Sequence, residues 1–345
     1  MADSVDEALD KAAAIIGAAS SVLLACHVEP DGDALGSMLA LHHLCHAQAK
    51  LSVATWPEPF VFAPHYAFLP GLDSCTKPED APSEPEVMVT FDCGSLGRLG
   101  DLAPAAAIAA ARGELIVIDH HRSNDGYGTL NVIDPSAAAS AVLVRRLAAR
   151  LRWPLTRDAA LCLYVGVVTD TGRFQYDNTT PEVFSLAAEL SSFDLPIASI
   201  TRQLFEEHRF AYLQLVAACL ARAELDRDLR LVATWVTEAD LAQFGVTLQE
   251  TEGLIDLIRR AAEAEVSCVL KETPAGVRVS LRAVSSVDVG AIAAGFGGGG
   301  HRFAAGFTAP GSIPEVLSSL RAALAEELAP PAPAHLSPLR QPPIP

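Results

Sequence analysis

Residues 21–37 read SVLLACHVEPDGDALGS, and this stretch decides the fold. The run from Ser21 to Cys26 has the unbroken apolar character of a strand buried on both faces, as in a parallel sheet covered by helices. It leads straight into His27, then a turn set by Pro30 and Gly32 that carries Asp31 and Asp33, then the helical-looking DALGSMLALHHLCHAQA. In an open α/β sheet, ligands bind at the carboxyl ends of strands. The plainer reading is a polar loop in which Asp33 caps the helix.

Working outward, LSVATW from Leu51, VMVTFD from Val87 and ELIVIDH from Glu114 are further buried strands, separated by helical stretches such as PAAAIAAAR. This is the rhythm of a doubly wound α/β domain. VMVTFD closes on Asp92, and ELIVIDHH closes on Asp119, His120 and His121, so acids and imidazoles gather at one sheet edge. The sequence VVTDTG adds Asp170 after another apolar run. Helices are expected around Ala137–Ala149, Asp158–Val168 and Pro181–Leu190, with helical sequence continuing to Ala223.

Bringing His27, Asp31, Asp33, Asp92, His120 and Asp170 together concentrates more negative charge than a protein buries unpaired. Two divalent cations would resolve it. Carboxylates and imidazoles without thiolate favour manganese, with magnesium, cobalt or iron as substitutes. Such a pair serves phosphoryl hydrolysis, polarising the phosphate and supplying hydroxide at neutral pH.

The character changes near Arg230. LRLVATWV, EVSCVLKE and VRVSLRA are strand-like, with helices expected at Thr247–Ala262, Val287–Ala294 and Ile313–Leu328, which makes a smaller α+β domain. Its sharpest feature is GFGGGGHRFAAG, residues 295–306. The stretch contains a GxGxxG spacing, but it follows a helical segment and lacks the βαβ setting of a dinucleotide fold. A backbone nest approaching a phosphate, with His301 as an adjoining donor, is the better reading, and a flexible glycine hinge is the alternative. The expected organisation is therefore a catalytic domain over 1–192, a helical connector over 193–228, a substrate domain over 229–328 and a disordered Pro-rich tail over 329–345.

Composition narrows the function. With 345 residues, half of them apolar, and a mean hydropathy of +0.27, the chain can bury two cores. Lys and Arg number 25 against 42 Asp and Glu, a net charge of −17, which excludes a basic face gripping long nucleic acid. A small anionic substrate remains compatible, because bound cations invert the local field. No apolar run approaches the length of about 18 residues that a membrane span needs. The acidic opening MADSVDEALD is unlike a signal peptide. Seven scattered cysteines without a CxxC pair fit reduced thiols and a cytoplasmic location. His42, His43 and His46 share helical spacing, but no acid converges on them. Arg98 and Arg282 are candidate phosphate ligands of a commonplace kind. Trp56, Trp153 and Trp235 are too dispersed to form a stacking platform.

The motifs HVEPDGDALGS, VTFDCGSLGRLG, VIDHH, VVTDTGRF and GGGGHRFAAGF, in this order, resemble the DHH phosphoesterase superfamily. Within it the chain resembles the nano-RNase and 3′,5′-bisphosphate-nucleotide phosphatase branch, whose second domain is the DHH-associated C-terminal domain. EGLIDLIR and GFGGGGHRFAAGF are similar to actinobacterial members that cleave cyclic di-AMP or its linear product. The resemblance implies that His27 and Asp31 hold one metal, that Asp33, His120 and Asp170 hold the other, and that Asp92 bridges them. It implies that Asp119 orients the ligand shell and that His121 lies close to the scissile phosphate. It assigns Gly298, Gly299, Gly300, His301 and Arg282 to the substrate, with His301 also catalytic. Glu29 stands where the family usually has Asn. The implied enzyme is a two-Mn2+ phosphodiesterase and phosphatase, with Mg2+ or Co2+ as substitutes. Its implied substrates are short RNA, linear or cyclic dinucleotides and 3′-phosphoadenosine 5′-phosphate, and its implied assembly is a homodimer. Two rivals are a manganese-type inorganic pyrophosphatase, disfavoured by the GGGH motif, and a non-catalytic nucleotide sensor, disfavoured by the complete ligand set.

Overall fold

The computed structural model describes residues 4–328, and the expected Pro-rich tail lies outside the described residues. The chain divides after Arg209 into two compact units. The sequence 193–228, expected as a connector, supplies elements to both.

The first unit runs α1 (Val5–Ala18), β1 (Ser21–Cys26), α2 (Gly32–Ala47), β2 (Leu51–Thr55), β3 (Met88–Phe91), α3 (Ala103–Arg112), β4 (Leu115–Asp119), β5 (Leu130–Ile133), α4 (Ser140–Leu151), α5 (Arg157–Asp170), α6 (Pro181–Ser191) and α7 (Ile197–Phe205). Its five strands are all parallel, in the order β2-β1-β3-β4-β5. Strands β3 and β4 are buried along their whole length, as the unbroken apolar runs require. The edge strand β5 escapes the sequence reading because it is only four residues long and alternates in burial.

Helix α2 is apolar nearly all round and buried from Gly32 to His42, so it lies inside the unit rather than on its surface. It packs on α5 through two glycines. A Cβ on Gly36 would stand 2.5 Å from the Cys162 carbonyl oxygen and 3.0 Å from the Gly166 nitrogen, so the backbones touch directly. Small residues are what allow this approach.

The second unit runs α8 (Phe210–Ala221), β6 (Glu224–Asp226), β7 (Leu231–Val236), α9 (Glu238–Phe244), α10 (Leu254–Ile258), β8 (Val266–Thr273), β9 (Gly276–Ala283), α11 (Val289–Gly295), β10 (Gly299–His301), β11 (Ala304–Ala309) and α12 (Ile313–Leu328). Its mixed sheet has the order β10-β11-β9-β8-β7-β6, and only β7 and β8 are parallel. One apolar cluster joins the sheet to α11 and α12, and another joins it to α8 and α10. The helix expected over Thr247–Ala262 breaks into a 3-10 turn at Gln249–Thr251 and the short α10, because Thr247, Thr251 and Gly253 are weak helix formers. The glycine stretch also differs from expectation. Gly299 and Gly300 belong to a strand, β10, hairpinned onto β11, so the segment is neither an open nest nor a loose hinge.

Candidate active site

The strand order of the first unit reverses direction between β1 and β3, which is where an open α/β sheet leaves a crevice at its carboxyl edge. His27 follows β1, Asp92 follows β3, and Asp119 ends β4 with His120 just after it, on three neighbouring strands. Helices supply the rest. Asp31 is the N-cap of α2, its carboxylate accepting from the Asp33 and Ala34 amides at 3.1 Å each. That corrects the reading of Asp33 as the cap.

Asp33 lies in the first turn of α2 and is fully buried. It accepts from the Ser140 amide at 2.5 Å, the Ala141 amide at 2.9 Å and the Ser37 hydroxyl at 3.1 Å. The two amides begin α4, so the positive end of that helix faces this carboxylate. Asp170 is the last residue of α5, set near Asp33 by the glycine contact between α2 and α5.

Asp92 stands at the centre, 2% exposed, and its two oxygens face different partners. Oδ2 lies 3.6 Å from His27 Nε2, which is itself 4.0 Å from Asp31. Oδ1 lies 3.3 Å from His120 Nε2, which is 3.8 Å from Asp33 and 3.0 Å from Asp170. Two groups thus form, His27 with Asp31 and Asp92, and Asp33 with Asp92 and His120, sharing the one carboxylate. Asp92 adopts φ +53, a left-handed conformation uncommon outside glycine and a mark of strain held at a working site. Glu29 does the same at φ +52, a conformation that Asn takes more readily than Glu.

Asp119 acts as a brace. Buried at the end of β4, it accepts from the His120 amide at 2.7 Å, the His121 amide at 3.1 Å and the Asn124 side chain at 2.5 Å. Its Oδ1 also lies 2.7 Å from His121 Nδ1, fixing that ring beside Asp92.

The electrostatics show what the cluster lacks. Burial, reinforced by Asp92 and Asp170, pushes the Asp33 carboxyl well above the usual range. Burial likewise raises Asp170. Burial opposes ionisation of Asp92 too, yet His121, His120 and His27 together hold it well below the usual range. Burial disfavours charge on His121, but Asp92 and Asp119 outweigh it and lift the ring to about 9. Left to side chains alone, the cluster neutralises itself by holding protons. A donor set of buried carboxylate and imidazole groups around one shared carboxylate fits hard or borderline divalent cations, which would take the place of those protons.

The remaining expected residues stand on the second unit. Along β9, Val277, Val279 and Leu281 point into the core, while Arg278, Ser280 and Arg282 lie on the opposite face. The register sets Arg282 and His301 both opposite Ala304, so the two share that face of the sheet. Gly300, at φ +142, admits no side chain, because a Cβ would sit 2.5 Å from the Ala304 carbonyl oxygen. Gly298 is equally tight against Gly306.

Sequence reasoning missed two contributors. The Ser140 and Ala141 amides are backbone groups and leave no residue signature. Arg98, already a candidate phosphate ligand in the sequence, is held at His27.

This arrangement belongs to a known class. Residues 21–167 match the DHH family, N-terminal domain, and residues 229–329 match the DHHA1 domain. The chain belongs to the DHH phosphoesterase family and is a hydrolase. It is 32% identical over 311 residues to the bifunctional oligoribonuclease and PAP phosphatase NrnA of Thermus thermophilus, across 89% of this chain and 90% of that one. To the protein of the same description from Bacillus subtilis it is 27% identical over 295 residues, across 83% and 88%. The structure of an exopolyphosphatase-related protein from Bacteroides fragilis is similar with a TM-score of 0.85 at 25% identity, covering 93% of this chain and 96% of that one. RecJ from Thermus thermophilus, solved in complex with Mn2+, shares the fold at a TM-score of 0.54 and 14% identity, over 93% of this chain and 55% of that one. Among the described residues, no helix is long and apolar enough to cross a membrane.

Proposed function

We propose that this protein is a phosphodiesterase and phosphatase of short nucleotides, hydrolysing oligoribonucleotides, linear or cyclic dinucleotides such as cyclic di-AMP, and 3′-phosphoadenosine 5′-phosphate to nucleoside monophosphates. The observation that carries the reading is Asp92, whose two oxygens serve separate carboxylate and imidazole groups at the reversal point of the sheet. His27, Asp31 and Asp92 would hold one divalent cation, and Asp33, Asp92, His120 and Asp170 a second, with Mn2+ favoured over Mg2+ or Co2+. Bound cations polarise a phosphoryl oxygen and make water a better nucleophile at neutral pH.

The side chains do the rest. Asp119 fixes the His121 ring so that an N–H can meet charge developing on the phosphate. The α4 amides keep Asp33 oriented, and the imidazoles keep Asp92 ionised. Arg282 and His301, on one face of the second unit's sheet and flanking β11, suit a substrate phosphate. The relatives named as oligoribonuclease and PAP phosphatase support this substrate class.

The test is a substrate panel with purified protein and Mn2+, read by chromatography against chain length. Dinucleotides should turn over far faster than a strand of about 20 nucleotides. Lower salt should rescue the long strand only weakly, because a chain of net charge −17 makes few phosphate contacts. A kcat/KM that rises with length, or turnover unaffected by a chelator, overturns the proposal.

A further inference from the structure

Arg98 lies in the 3-10 segment Leu96–Leu102 that follows β3, and its backbone carbonyl accepts from the Val28 amide at 3.0 Å. The loops after β1 and β3 are thereby tied together at the mouth of the crevice. The Arg98 side chain has one hydrogen-bond contact among the described residues, Nη2 to His27 Nδ1 at 2.9 Å. Other arginines of this unit are placed differently: Arg145 grips Glu189, Arg146 grips Asp134 and Glu182, and Arg150 grips Asp6 and Asp10. Among the described residues Arg98 has no carboxylate partner, although it stands beside a cluster of carboxylates.

Its one contact is also a poor one. His27 Nδ1 lies 2.8 Å from the Val28 carbonyl oxygen as well. An imidazole that offers Nε2 as a ligand carries its proton on Nδ1 and donates it to such a carbonyl. Nδ1 then has no lone pair for a guanidinium, and Arg98 is left as an exposed cation at the edge of the site with its donors unspent. An anion is what those donors fit.

The position says which anion. Arg98 approaches His27 from the side of the ring opposite to the nitrogen facing Asp92 and Asp31. An anion on Arg98 is therefore offset from the reacting phosphate by at least a ring's width. Oligoribonucleotides and 3′-phosphoadenosine 5′-phosphate have one feature in common there, a second phosphate across one ribose from the scissile one. Resting on the function proposed above, we infer that Arg98 binds this second, non-reacting phosphate and sets the enzyme's preference for substrates that carry it.

The test compares substrates that differ only in that group, pApA with ApA and 3′-phosphoadenosine 5′-phosphate with 3′-AMP, for wild type, Arg98→Ala and Arg98→Lys. Bound metal is measured on each protein. Wild type should favour the doubly phosphorylated member. Arg98→Ala should raise KM for that member by about 10- to 100-fold, the span of a lost charge-assisted hydrogen bond. It should leave ApA and 3′-AMP near wild type and metal content intact, and Arg98→Lys should recover part of the preference. Equal damage to both members of a pair, loss of metal, or a preference that survives in Arg98→Ala overturns the assignment. Wild-type protein that cleaves none of the four with Mn2+ instead overturns the function on which the assignment rests.

Discussion

Replacing Gly36 by alanine tests whether the contact between α2 and α5 builds the site. The added Cβ would stand 2.5 Å from the Cys162 carbonyl oxygen, roughly 1 Å short of ordinary contact, and that oxygen is backbone. The helices must separate. Overpacking of this kind costs about 1–3 kcal/mol, while alanine in a helix interior regains about 1 kcal/mol over glycine. The net loss is up to about 2 kcal/mol, a fall in Tm of up to roughly 8 °C for a unit of this size. Gly17→Ala is the control, since its Cβ would meet only Leu151 at 3.8 Å, and it should gain about 0.5–1 kcal/mol. The second readout is Mn2+ binding by calorimetry. Separating the helices pulls Asp33 on α2 away from Asp170 on α5, so the ion held by that pair should weaken at least tenfold, while binding by His27, Asp31 and Asp92 persists. A Gly36→Ala protein that melts at or above wild type and binds ions like wild type refutes the reasoning.

Asp92→Ala should strip both ions and abolish turnover, whereas His120→Ala should lose chiefly one; metal analysis of the purified proteins separates these outcomes, and normal turnover by Asp92→Ala in chelator-treated buffer sinks the shared-carboxylate scheme. On the second unit, Arg222 binds Asp240 through two contacts, at 2.6 and 2.8 Å, and holds its carboxyl down to about 2. A folded-state value below the unfolded one, about 3.9, means stability that is present above that pH and lost as pH falls through about 2. Asp240→Asn should therefore cost about 2 kcal/mol in urea unfolding at pH 7 and much less near pH 2, and an equal cost at both pH values would contradict the pairing.

How much of this was legible depends on what each feature is made of. His27, Asp92, Asp119 and His120 stood out because each ends a long apolar run, and a parallel sheet delivers such ends to one edge. The roles of Asp31 and Asp33 in the helix start were exchanged, because either acid before an apolar run satisfies the capping rule, and only the amides of α4 decide between them. Strand β10 was read as a loop since glycine has low strand propensity, and its pairing with β11 is a tertiary outcome. The glycine contact between α2 and α5 left no local trace either, because both residues sit inside ordinary helical patterns.

The donors around Asp92 begin at His27 and end at Asp170, and the last of them closes a helix that packs chiefly on α2, an element already made. A ribosome-bound chain therefore carries an incomplete set of donors for about the first half of its synthesis. Domains assemble as units, so the full set appears only when α5 has docked. Until that moment the half-made protein lacks the complete cluster of carboxylate and imidazole groups on which the proposed hydrolysis depends.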